Sequence, residues 1–309
     1  MGRRSRQAAR HRVRSWDLRR LLTVAVSALG VAVLLYPSAA GWFSDRSHAE
    51  RINAYVHEAG SLPEETRLAM LEEAHTYNAN LPGGPLRDPY TLESDGSPSA
   101  VGGGTQAYRD VLGGLPGGVM ARVQIPAIGV DLPVFHGTDE DTLVNGAGHL
   151  FGSALPVGGT GTHSVLTTHS GLVDARLFTD LEKLAEGDTF SVTVLNEQVR
   201  YRVDRIAAVE PADTLALRPE PGKDLMTLVT CTPIGVNSHR LLVRGERIES
   251  LPAAETGDAV LGSGTHPPGF PWWALGVPAA TSAAVLLTRP RRPRISAETP
   301  GSSLPPINQ

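Results

Sequence analysis

The chain has 309 residues, with 28 Lys or Arg, 32 Asp or Glu and a single cysteine. One cysteine excludes an internal disulfide and argues against a zinc site built on paired thiolates. Twelve of the basic residues flank two apolar stretches, and residues 45–258 hold 16 basic and 30 acidic residues, a net of −14 that argues against nucleic acid as a partner.

Residues 1–20 form a basic segment containing eight arginines, expected on the cytoplasmic side. Residues 21–43 carry no charge, and LLTVAVSALGVAVLLY extended to Phe43 is expected to form a transmembrane helix with Trp42 and Phe43 at the outer interface. A cleavable signal peptide is the competing reading, because Ser38 and Ala40 are small residues of the kind found before a cleavage site. Both readings export the region beyond residue 43.

Residues 44–80 read as helix, with Ala, Glu and Leu at helical spacing in EETRLAMLEEAHTYNA. Residues 81–115 are a connection rich in Pro, Gly and Ser, long for a compact domain. Residues 116–250 read as β. ARVQIPAIGVDLPVF gives two short strands around a turn, HSVLTTH a strand running into a loop, and TFSVTVL with VRYRVDRIAAV a hairpin around Asn196 and Glu197. LMTLVTC and HRLLVRG are two more strands. Many short strands in about 130 residues suggest a closed or nearly closed barrel. Residues 251–268 read as a linker.

Residues 269–288 are a second, weaker apolar span, interrupted by Pro271, Gly276 and Pro278. Residues 289–309 form a basic tail opening with Arg289, Arg291, Arg292 and Arg294, a stop-transfer pattern that places both chain ends in the cytoplasm and the β region outside.

TLVTCTP carries the single cysteine, Cys231, at the end of a strand. A buried filler is the ordinary reading of a lone thiol. In an exported chain an unpaired thiol is exposed to oxidation, which shifts weight towards a nucleophile. Seven residues, TPIGVNS, separate Cys231 from His239 and Arg240, which open the next strand. If the two strands pair as antiparallel neighbours, Arg240 lies beside Cys231. Arg244 shares its strand parity but lies roughly 13 Å further along, so Arg240 is the better candidate to stabilise a thiolate or an oxyanion. A solvated strand arginine is the competing reading. Spacing does not choose the base: His163 and His169 bracket a strand, and His239 adjoins Arg240. The acidic run Asp139 to Asp141 reads as a solvated loop in preference to a calcium site, and no metal or cofactor is expected.

TLVTC, with an arginine on the following strand, resembles the sortase family of cysteine transpeptidases. Further blocks resemble its class C, the pilin-polymerising sortases: VFHGTDEDTLVNGAGHLFGSALPVGG, THSVLTTHSGL, LFTDL, LAEGDTF, CTPIGVNSHRLLVRG and the loop RDPY. The resemblance implies a mainly β fold, an eight-stranded barrel with an N-terminal helical segment and a lid loop, flanked by two transmembrane helices. It implies catalytic roles for Cys231, His169 and Arg240, and a lid formed by Asp88, Pro89 and Tyr90. It further implies LPXTG-bearing pilin or surface-protein substrates and a pilin lysine as acceptor. The family pattern around the histidine is departed from at Thr168 and Ser170, and an aromatic position is occupied by Ile234. Competing functions are a housekeeping-type sortase that anchors proteins to peptidoglycan, a Cys–His hydrolase, and a non-catalytic membrane-anchored β-domain.

Overall fold

The computed structural model describes residues 18–81, 86, 88, 90, 106–248 and 265–289. These form two compact units, one holding the described residues up to Leu35 and from Trp272 on, the other spanning Tyr36–Pro271.

In the first unit the chain is apolar and helical. Helix α1, Leu18–Ser61, begins here and continues into the second unit. Among the described residues it is the one helix long and apolar enough to cross a membrane. The expected second span is shorter than its apolar stretch. A 3₁₀ turn, Trp272–Leu275, precedes a helix at Gly276–Leu287. Those 16 residues reach about 25 Å, short of the ~30 Å of a hydrocarbon core. Pro278 falls in the helix's first turn, where its missing N–H costs nothing, so helix begins only there. Gly276 packs on Leu35, and any side chain at that position would collide with it.

In the second unit α1 turns one face inward, burying His48, Ala49, Ile52, Tyr55 and Ala59 at helical spacing. The segment read as continuous helix breaks at Leu62, because Pro63 cannot continue it. Helix α2, Glu64–Ala79, restarts with Glu64 and Glu65 in its first turn, where they offset the helix dipole, and buries Leu71 and Ala74. Helix α3, Gln106–Asp110, brings Tyr108 into the core.

The barrel has eight strands: β1 Val119–Ile125, β2 Val130–His136, β3 Ala147–His149, β4 Thr162–Thr167, β5 Thr189–Val194, β6 Glu197–Val209, β7 Asp224–Thr232 and β8 His239–Ile248. A short helix, α4 (Glu140–Asn145), precedes β3, and the helix at Gly276–Leu287 is α5. The strands close in the order β1-β2-β3-β4-β7-β8-β6-β5. Closure removes the unpaired edges that a sheet of this size would otherwise expose. Most neighbours are antiparallel; β2 with β3 and β4 with β7 are parallel.

Strand alternation gives β7 two distinct faces. Met226 and Leu228 point into the main core with Val123, Val134, Leu166 and Val243. Val229 points outward into a second cluster with Leu150, Val165, Leu217 and Leu242. Because both faces are covered, β7 is buried from Asp224 to Cys231. Cys231 shares the parity of Val229, and Arg240 that of Leu242, so both belong to the outer face at the end of their strands.

Candidate active site

Three adjacent strands deliver the three residues singled out by sequence. In the β7–β8 ladder Cys231 pairs directly with Arg240, as the seven-residue loop implies, while Arg244 pairs with Thr227. In the parallel β4–β7 ladder Thr167 is level with Val229. His169 comes two residues after Thr167, as Cys231 comes two after Val229. The histidine, two residues beyond β4, thus lies at the same end of the barrel as the paired thiol and guanidinium of β7 and β8. The other two candidate histidines are elsewhere. His163 Nε2 bonds Thr227 Oγ1, and the exposed His239 bonds Ser238 Oγ.

The loop carrying His169 is fixed by hydroxyl groups. Thr230 Oγ1 donates to the Thr168 carbonyl at 2.8 Å, and Thr168 Oγ1 donates to Leu143 O at 2.8 Å. Ser170 Oγ donates to the Cys231 carbonyl at 2.7 Å, tying the loop to the cysteine's own backbone. The departures at Thr168 and Ser170 therefore have structural work of their own. Gly171, at φ 74°, lies against Ile234, and any side chain there would collide with it.

The acidic run is exposed, as a solvated segment would be, but Glu140 and Asp141 open helix α4 instead of lying in a loop. Asp139 caps α4 by accepting from Thr142 N at 2.9 Å. Glu140 Oε2 lies 3.3 Å from His169 Nε2, an ion-pair distance without hydrogen-bond alignment. Sequence reading missed this partner, because a six-residue helix is too short to give a periodic pattern. Among the described residues no group of three or more His, Cys, Asp or Glu is placed to hold a metal ion.

Asp88 and Tyr90 lie on the site, and Pro89 lies outside the described residues. Asp88 Oδ1 and Oδ2 accept from Arg240 Nε and Nη2, each at 2.8 Å. Both side chains are nearly buried, at 8% and 10% exposed, so this is not the exposed pair a loop would ordinarily make. Arg240 Nη1 donates to the Asn237 and His239 carbonyls, which fixes the guanidinium plane. The Tyr90 ring lies 4.9 Å under that guanidinium and 5.7 Å from the His169 ring. Its hydroxyl donates to Thr168 O at 2.6 Å and accepts from Thr167 Oγ1 at 2.7 Å. Leu86 and Tyr90 pack on the outer-face cluster around Val229.

This cover alters the electrostatics. Burial pushes the Cys231 thiol above its ordinary value; Arg240 opposes that and Asp88 reinforces it. Burial, and then the neighbouring Cys231 sulfur, push the Tyr90 phenol up. With Asp88 in place, the cation that would favour a thiolate is already paired.

Comparison with known proteins agrees with this geometry. Residues 123–248 match the family model described as Sortase domain. Sortase A of Bacillus anthracis is 30% identical over 130 residues, covering 42% of this chain and 60% of that protein. The chain spans 52–62% of the length of the curated relatives it matches. The crystal structure of sortase C-1 from Actinomyces oris is 48% identical, with a TM-score of 0.55, covering 60% of this chain and 99% of that one. Sortase C of Streptococcus pneumoniae is 38% identical, with a TM-score of 0.58, covering 65% of this chain and 97% of that one. A barrel with a cysteine and arginine paired across its seventh and eighth strands, matched at such identity over nearly the whole of two solved sortases, places the chain in the sortase family of cysteine transpeptidases.

Proposed function

We propose that the chain is a membrane-anchored transpeptidase that joins pilin subunits, with Cys231 as nucleophile, His169 as acid and base, and Arg240 as oxyanion and substrate-backbone donor. The observation that carries the reading is the cross-strand pair Cys231–Arg240, whose guanidinium is held by a removable partner, Asp88.

In the first half-reaction the Cys231 thiolate attacks the threonine carbonyl of an LPXTG-like sorting signal. The oxyanion forms beside the planar donors of Arg240. The C–N bond to glycine breaks as His169 gives its proton to the leaving amine, and a thioester remains on Cys231. In the second half-reaction a pilin lysine amine gives its proton to the now neutral His169 and attacks the thioester. The new amide forms and the thiolate leaves. The thioester retains the acyl group's reactivity, so the exchange needs no nucleotide or metal. Asp88, Pro89 and Tyr90 act as a lid over the resting site. Residues 116–250 are the catalytic unit. Residues 21–43 and 269–288 are two spans, the second completed by the uncharged residues before its helix.

The choice of a pilin acceptor over peptidoglycan is supported by the class C sortases among the solved relatives, the pneumococcal one concerned with pilin substrates. Sortase A proteins also match, and the peptidoglycan reading rests on those. The test is mass spectrometry of the purified full chain incubated with an LPXTG peptide and either a lysine-bearing peptide or a peptidoglycan stem amine. An isopeptide bond to lysine is the expected product. Exclusive use of the stem amine would assign the housekeeping role. Free acid alone would make the chain a hydrolase, and an unchanged peptide a scaffold.

A further inference from the structure

The barrel has two distinguishable ends. Strand β7 ends and β8 begins at the end that holds Cys231, and the β1–β2 turn after Ile125 lies at that same end. The β5–β6 turn at Leu195 and Asn196 lies at the other. Helix α1 runs from the first end to the second. Asp45 and Ala49 line a cavity of about 210 Å³ with Ile128, Gly129 and Asp131 at the β1–β2 turn. Arg51 donates to Asn145 of α4, the helix beside His169. Further along, the Tyr55 hydroxyl donates to Met120 O and accepts from Leu195 N. The segment 265–271 lies alongside, its Thr265 and Gly269 carbonyls accepting from Asn53 and Trp42. Both polypeptide connections to the apolar segments therefore meet the barrel at the Cys231 end.

The exposed apolar side chains are one-sided in the same sense. Among the described residues of 106–248 the large exposed ones are Val144, Val173, Leu215, Ile234 and Val236. Val173 is on the loop after β4, Ile234 and Val236 on the loop after β7, and Val144 on α4 beside His169, while Leu215 lies on the β6–β7 crossover. A single exposed valine is ordinary; a set collected where two chain connections carry exposed Phe43 and Phe270 is not.

We infer that the Cys231 end of the barrel rests on the bilayer that residues 21–43 span. Val173, Ile234 and Val236 enter the boundary between headgroups and acyl chains, with Phe43 and Phe270 as the aromatic belt. Cys231 then works at the lipid surface, on a polypeptide whose scissile bond is held close to the headgroups. The inference rests on the reading of residues 21–43 as a membrane span, but not on any catalytic role. Asp45, Glu140 and Asp174 at this end outnumber Arg176, which lies beside Asp45, so the rim has no basic excess to hold anionic lipid and the contact persists at high salt.

The experiment uses the full chain carrying Cys231→Ala, with one new cysteine at a time labelled with bimane: Val236→Cys, Glu197→Cys at the opposite end, or Val33→Cys within the span. Each is reconstituted in phosphatidylcholine–phosphatidylglycerol vesicles with or without brominated acyl chains. Bromine is expected to quench the Val33 and Val236 labels severalfold more than the Glu197 label, at low and high salt alike. Quenching at Val33 with none at Val236 beyond the Glu197 level overturns the inference and leaves the span reading standing. No quenching at Val33 overturns the span reading, and the inference with it. Val236 quenching that appears only in low salt, or shielding of that label only by an added sorting-signal protein, gives the rim to electrostatics or to substrate, and overturns it too.

Discussion

Arg240 and Arg244 stand on the same face of β8, four residues apart, and each binds one carboxylate through two hydrogen bonds. Arg244 Nε and Nη2 donate to Asp204 on β6 at 3.1 and 2.6 Å, and its Nη1 donates to Glu220. Arg240 makes the same fork with Asp88. The partner of Arg244 belongs to a strand of the barrel, so that pair is permanent while the barrel is folded. The partner of Arg240 lies on a connection whose Leu86 and Tyr90 pack on the outer-face cluster around Val229, so that pair can part without unfolding any strand. Identical chemistry therefore joins two strands of the barrel at one position and ties a connection to the barrel at the other.

The sharpest way to break this comparison begins at the thiol. Replacing Cys231 with Ala should reduce covalent ligation of an LPXTG peptide to background while the thermal midpoint stays within a few degrees. Ligation persisting in the variant, read by mass spectrometry, would falsify the nucleophile assignment.

Lysine at position 240 replaces a planar fork with a point charge, and a loss of about 10²–10³ in kcat/KM is expected, the usual cost of one oxyanion donor. Lysine at 244 should leave turnover within a few-fold and instead lower the melting temperature, because it loses bonds to both Asp204 and Glu220. Two equal kinetic defects would show that the arginines do not differ in role.

Next in size is release of the cover. Asp88→Ala combined with Tyr90→Ala removes a buried charge-assisted fork and a cation–π contact, about 2–3 kcal/mol together, or about 30- to 150-fold in open population. Alkylation of Cys231 should accelerate by about that factor. Its pH midpoint should also fall, since burial and Asp88 both raise the thiol pKa and Arg240 lowers it. An unchanged alkylation rate would mean that Asp88 and Tyr90 do not limit access.

The last effect is on stability, away from the site, and leaves the chemistry of the comparison untouched. His149 is fully buried; its Nε2 donates to Ala154 O and its Nδ1 lies 2.8 Å from the Tyr108 hydroxyl, in an enclosure that disfavours a charged ring. Burial lowers its pKa to about 4, and that of His48 likewise. Between about pH 6.5 and 4 the unfolded chain binds more protons than the folded one, so stability falls as pH falls, by about 1.4 kcal/mol per unit for each histidine. Melting temperatures at pH 7 and pH 4.5 measure it, and His149→Gln should flatten the slope.

The barrel was legible in the sequence because TFSVTVL and VRYRVDRIAAV alternate apolar and polar residues as a hairpin, and the other long strands stand out as short β-rich runs bounded by turns. The Cys231–Arg240 pair was legible because a short loop between antiparallel strands fixes which residues are level. Strand β3 was not: three residues, Ala147 to His149, carry no period. The break at Pro63 was hidden by good helix formers on both sides. His169 could not be chosen from spacing, since its place depends on the parallel β4–β7 ladder between residues 62 apart, and only the family resemblance selected it. Glu140, Ser170 and Thr230 act on that histidine and its loop through tertiary contacts that no local pattern records.

The order of strands around the barrel bears on how the chain comes to be reactive. β7 and β8 are the last two strands in sequence, yet they lie between β4 and β6 in the ring. In chain order β1 to β6 come first, with a gap between β4 and β6 that nothing earlier can fill. Non-local pairings of this kind form late, after the loop-closure entropy has been met. Cys231 and Arg240 therefore come level with one another only when the final pair of strands docks. The pairing of Cys231 with Arg240 and the completion of the barrel wall are one event.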